Sequence, residues 1–197
     1  MKTNWISPLW RRLRGSATAL LADRSGIAAT EFAVILPIML VMFFGTVELS
    51  SGVAVDRKVT LMARTLSDLT SQSTSVADSD LTNFFNASGA IMYPYDNTPT
   101  QSTVSELYVD PNTLAARVQW SKGSAPRAAS SNVAIPGALA VGGSYLIFSE
   151  VSYHYTPTIG YVMSKAGVTL SDTAYTRPRQ STCVQYPTAS GQCPPPI

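Results

Sequence analysis

Arg24-Ser25-Gly26-Ile27-Ala28-Ala29-Thr30-Glu31-Phe32 runs without a break into the apolar stretch Ala33 to Val47, and everything else in the chain is read from it. From Ile27 to Leu49 there are about 23 mostly apolar residues, roughly 35 Å of helix, enough to cross a bilayer core of about 30 Å. No charged residue lies between Glu31 and Glu48. A carboxylate held deep in hydrocarbon costs on the order of 2.5–3.5 kcal/mol. Glu48 can reach the far interface, but Glu31 stands at the mouth of the span. If the peptide bond between Gly26 and Ile27 were cut, the new ammonium on Ile27 would lie one helical turn from Glu31. It could then pair with that carboxylate, or with the same group on a neighbouring chain.

The net charge of the 197-residue chain is +2, yet the charge is unevenly placed. Lys2, Arg11, Arg12, Arg14 and Arg24 against Asp23 make residues 1–26 strongly basic, and the remainder is mildly acidic. Basic residues ahead of an apolar helix predict that the leader stays cytoplasmic and that the C-terminal part faces outward. The basicity is therefore topological, and no nucleic-acid partner is expected. Trp5 and Trp10 within the basic leader suit a segment resting on anionic headgroups. Only 13% of residues are charged, as suits an envelope or secreted protein with Ser/Thr-rich surfaces. Two other fates of this N-terminus stay open on the residues alone. One is an uncleaved signal anchor; the other is conventional signal cleavage near Gly52-Val53-Ala54, far down a rather long apolar run.

A Gly followed by four small or apolar residues, then Glu and an aromatic, resembles the type IV prepilin cleavage motif. More narrowly, Ser25 to Pro37 resembles the start of TadE-like pseudopilins of the tight-adherence (Flp) pilus machinery. Glu150-Val151-Ser152-Tyr153-His154-Tyr155-Thr156-Pro157 is similar to their late sheet segment, and Tyr175-Thr176-Arg177-Pro178-Arg179 to their closing Arg-Pro-Arg element. Residues 76–143 match nothing in that pattern. The resemblance implies cleavage after Gly26 by a prepilin peptidase on the cytoplasmic side, leaving Ile27 as the mature N-terminus. It implies a docking role for the Ile27–Glu31 charge pair, with Phe32 as the motif aromatic. Implied partners are the prepilin peptidase, other pilins or pseudopilins, the inner-membrane assembly platform and the membrane itself. The expected organisation is a leader over 1–26, a transmembrane helix over 27–49 and a periplasmic or extracellular domain over 50–197.

Beyond the membrane the helix is expected to continue. Val55, Val59, Met62, Leu66 and Leu69 recur at helical spacing, giving an amphipathic helix to about Gln72 that needs a covering surface. That surface is either its own sheet or another pseudopilin helix. Asp78-Ser79-Asp80 can cap a short helix through Leu81, Phe84 and Phe85 toward Gly89. Residues 93–103 read as loop. Val104–Val109 and Leu114–Trp120 flank the turn former Asp110-Pro111-Asn112-Thr113, and a loop is expected from Lys122 to Pro136. Tyr145–Tyr155 is the strongest strand, and residues 168–170 and 174–176 suggest one or two more, broken by Ser171-Asp172. The expected fold is α+β: a long N-terminal helix on a small antiparallel sheet, which resembles a pilin headpiece. Pro37 is expected to bend the helix, and Gly45 and Ser50–Gly52 offer small surfaces for a neighbouring helix.

Groups that could carry chemistry are few. His154 is the only histidine and there are two cysteines, which excludes a multi-histidine or Cys-rich metal site within one chain. No phosphate-cradling glycine loop occurs, and Gly142-Gly143 reads as a turn. Neither a cofactor nor an enzymatic activity is expected. On the proposed topology Cys183 and Cys193 face an oxidising compartment and are expected to pair, constraining the tail by roughly 3 kcal/mol. Two functional classes follow. The chain is a minor pilin or pseudopilin that helps initiate, prime or tip a filament, or it is a single-pass anchor presenting a periplasmic binding domain.

Overall fold

The computed structural model describes residues 25–157, 167–187 and 193. The leader ahead of Ser25 lies outside the described residues, as does the expectation that Trp5 and Trp10 rest on headgroups. A first helix, α1, runs from Ser25 to Ser71 and passes through Pro37. Ala, Phe, Ile and Val are the commonest residues of its first half, and the Ser/Thr-rich stretch from Ser71 to Ser75 ends it, since these side chains compete with the helical backbone for hydrogen bonds. The chain divides between Val47 and Glu48 into two compact units.

The second unit holds the rest of α1, a helix α2 (Asp78–Gly89) and five strands: β1 (Thr100–Val109), β2 (Ala116–Gly123), β3 (Asn132–Val133), β4 (Tyr145–Tyr155) and β5 (Val168–Thr176). The strands form one sheet in the order β3-β2-β1-β4-β5, with every neighbouring pair antiparallel. Successive side chains of a strand point to opposite faces, so Ile147 and its neighbours Leu146 and Phe148 serve different cores. On the face that receives α1, Val55, Val59, Met62 and Ala63 pack with Met92, Val151 and Tyr153. Further along the same face, Leu66, Val76 and Leu81 meet Val104, Trp120, Ile147 and Val184. On the opposite face Leu107, Val109, Ala116, Val118, Leu146 and Phe148 are covered by Val133, Ile135 and Leu139 from the segment that follows β2.

The fold is the expected α+β arrangement, and the amphipathic stripe of α1 is covered by its own domain's sheet. Five local expectations change. The loop expected from Lys122 to Pro136 is entered by β2 as far as Gly123 and interrupted by β3, which pairs with Ala116 and Arg117. Leu69 is only half-buried, while Ser67 and Thr70 are fully buried. Small hydroxyl side chains let α1 approach the sheet closely there: Ser67 Oγ donates to Thr176 Oγ1 at 2.7 Å, and Ser149 Oγ to Ala63 O at 2.6 Å. Helix α2 has Ala77 rather than an Asp at its cap, with Asp80 reaching back to accept from the Ala77 N–H at 2.9 Å. β1 begins at Thr100 rather than Val104, because Thr100–Thr103 pair with Glu150–Tyr153. β5 is continuous through Ser171-Asp172, since register with Val151 and Ser152 overrides the turn chemistry of those two residues.

The β1–β2 turn follows its sequence. Asp110 Oδ1 accepts from the N–H groups of Asn112 and Thr113 at 2.7 and 3.1 Å, and these bonds hold the carboxyl below its ordinary pKa. Gly123 closes β2 at a φ of 138°, where an added Cβ would collide with the Ser102 carbonyl. A side chain there is excluded both by conformation and by space.

Candidate processing and assembly site

The first turns of α1 carry the motif residues. Gly26, Ile27, Glu31 and Phe32 are all exposed, and a Cβ added at Gly26 would meet nothing within 4 Å. Thr30 Oγ1 donates back to Ile27 O at 2.7 Å, tying the turn between Ile27 and Glu31. Four residues separate Ile27 from Glu31, one turn or about 6 Å along the axis.

The apolar surface above this turn has no cover of its own. Phe32, Val34, Ile38, Met39, Val41, Met42 and Phe43 each leave more than half of their surface open. Among the described residues α1 is the one helix long and apolar enough to cross a membrane, and none of its apolar window is buried. Such a surface requires lipid or other helices around it.

Residues 26–66 match the TadE-like protein family. This segment is TadE-like. It takes in the glycine, the Glu-aromatic pair, the apolar run and the first part of the stripe that packs on the sheet. The TadE-like match implies a protein associated with the tight-adherence pilus, and the single apolar helix is compatible with a single-pass anchor. No curated protein and no solved structure matched the chain.

The TadE-like segment ends within the second unit, where two carboxyl groups have roles not predicted from the sequence. Glu48 Oε1 accepts from the Tyr155 hydroxyl at 2.5 Å, joining the start of this unit's stretch of α1 to the end of β4. Burial, and then the adjacent Glu48 carboxylate, push the Tyr155 phenol up to about 12. Glu106, on β1, is wholly buried. Its Oε1 accepts from the Val184 N–H at 2.5 Å, and Trp120 Nε1 donates to Val184 O at 2.8 Å. Burial raises the Glu106 carboxyl to about 8 against the smaller opposing pull of Val184 and Trp120.

A β-bulge sets up this second group. Glu106 pairs with Trp120 and Leu107 with Val118, so one residue of β2 is skipped and the two side chains sit side by side on the α1 face. The sequence signal was a lone acid in an otherwise strand-like run, and alternation alone assigns such a residue to solvent.

The cysteines pair as expected: Cys183 and Cys193 form a disulfide with their Cα atoms 5.7 Å apart. They belong to the second unit, in the segment that covers Glu106, and not to the motif around Gly26. His154 is exposed on β4 with Nδ1 3.4 Å from Thr169 Oγ1. Among the described residues no group of His, Cys, Asp and Glu is arranged to hold a metal ion.

Proposed function

We propose that this protein is a minor pilin or pseudopilin of the tight-adherence (Flp) pilus, acting in initiation, priming or tip formation rather than as an enzyme. Its leader is removed between Gly26 and Ile27 by a prepilin peptidase. The mature helix is held in the inner membrane with the domain from residue 50 in the periplasm, until an inner-membrane assembly platform passes it to other pilins. The observation that carries this reading is the TadE-like segment, in which the Gly26–Phe32 motif opens an apolar helix with no cover of its own.

Glu31 acts by charge. Once Ile27 carries a free ammonium, the pair offsets the cost of holding a carboxylate in an apolar helix bundle, within one chain or between neighbours. Gly26 acts by its lack of a side chain in the peptidase. Because an added Cβ at Gly26 meets nothing in this chain, Gly26→Ala tests the peptidase and not the fold.

The expected result is that Gly26→Ala accumulates as the unprocessed chain, while Glu31→Ala is processed but reduces surface pili at least tenfold. Immunoblotting and pilus counts on cells carrying each variant make the measurement. Normal pili in both variants would instead favour a plain single-pass anchor for a periplasmic binding domain.

A further inference from the structure

The C-terminal segment Cys183–Tyr186 fills the α1 face of the sheet beyond the end of that helix. It is held by paired backbone contacts rather than by a regular element. Val184 gives its N–H to Glu106 and takes the Trp120 indole N–H on its carbonyl. Gln185 bridges the residues after α1: its N–H donates to Thr74 O at 3.1 Å, and the Val76 N–H donates to Gln185 O at 2.9 Å. Tyr186 stacks near Trp120 with ring centroids 5.6 Å apart and donates its hydroxyl to Asp78 Oδ1 at 2.7 Å. Cys183 and Val184 are buried, and the disulfide to Cys193 ties the chain immediately before the three residues that make these contacts.

We propose that Cys183–Tyr186 is a releasable latch, locked by the Cys183–Cys193 disulfide and seated on the neutral carboxylic acid of Glu106. Loss of that proton or reduction of the disulfide opens it and uncovers Trp120. A buried carboxylate is costly unless a cation or several donors compensate it. Glu106 has the Val184 N–H on Oε1, while Oε2 has no hydrogen-bond partner among the described residues.

The groups around Glu106 do not supply a cation. From β2 it faces the Trp120 indole, and from β4 the Tyr145 phenol, which burial and then Glu106 itself push upward. On β1 the next residue of the same face is Tyr108, 5.0 Å from the Tyr145 ring. Arg117, beside Tyr108 on β2, acts on Asp110 instead. Lys122 pairs with Asp78 at 3.3 Å and lies 4.8 Å from the Tyr186 ring centroid. At the end of α1, Asp68 is paired with Arg179.

The sign follows from linkage. With the latch closed Glu106 holds its proton up to about pH 8, and with the latch open it is an ordinary solvated carboxyl of about 4.5. Opening therefore becomes easier as pH rises between those values, about tenfold per pH unit, and levels off above about 8. The device is independent of any role in a filament.

The test is hydrogen exchange of the 183–186 amides in the oxidised full chain in detergent, corrected for the intrinsic rate, with β4 as the folding reference. Protection of 183–186 should fall about tenfold per pH unit from pH 6 to 8, and reductant at pH 6 should lower it at least tenfold with β4 unchanged. Glu106→Gln keeps an acceptor for Val184 and should abolish the pH slope. Trp120→Phe removes the indole donor but keeps Glu106, so it should lower protection at every pH and keep the slope. A pH-independent wild type, an equal slope in Glu106→Gln, a slope lost in Trp120→Phe, or protection indifferent to reductant would each overturn the latch.

Discussion

Glu48 and Tyr155 show how single residues fix the lower end of the second unit. The phenol donates to a carboxylate, a stronger class of hydrogen bond than a neutral pair. Tyr155→Phe keeps the ring and removes only the donor. It should lower stability by about 1–2 kcal/mol in thermal or denaturant unfolding. Glu106 makes a second residue-scale prediction. Its folded pKa of about 8 lies above the ordinary 4.5, so the stability it contributes is fully present below about pH 4.5 and is lost as pH rises to about 8. Denaturant midpoints for the wild type should decline across that window, and those of Glu106→Gln should decline less. Neither pairing was legible in the sequence: Glu48 reads as a residue escaping to the interface, and Glu106 only as one acid within the strand-like run Val104–Val109. A β-bulge and a tail segment from 78 residues downstream put Glu106 where it is, and neither leaves a periodic trace.

Among the elements, the second half of α1 was the most legible, because Val55, Val59, Met62 and Leu66 recur at helical spacing and all four are buried. Leu66 sits at the centre of that contact with Val104 and Ile147. Leu66→Ala should cost about 2–5 kcal/mol, read as a shift in the unfolding midpoint without loss of the membrane helix. β4 was equally plain from its aromatic and β-branched run, and its observed bounds are those expected. β1 and β5 were less so. Thr100–Thr103 and Ser171-Asp172 have loop-like composition, and only pairing with β4 makes them strand. The tail was legible only as a disulfide. Reduction of Cys183–Cys193 should loosen this short loop, by about 3 kcal/mol on the loop-entropy model, while circular dichroism of the helix stays unchanged.

At the scale of the whole molecule, one stretch accounts for most of what could be read in advance. Gly26 to Leu49 specified a membrane-length helix with a motif at its base, and the segment that continues it specified a helix needing a sheet. In the middle of the chain α2 was legible from its capping acids and apolar residues, but the two-residue β3 and the irregular cover over the second core were not, because they depend on contacts distant in sequence. The exposed apolar half of α1 and the TadE-like match over residues 26–66 are the observations on which the proposed role in a pilus rests.

The most direct measurement is the N-terminal mass of the protein purified from membranes of cells with and without the prepilin peptidase. The proposed role predicts a chain beginning at Ile27 only when the peptidase is present. A chain beginning at Met1 in both cells would contradict it and leave a plain membrane anchor.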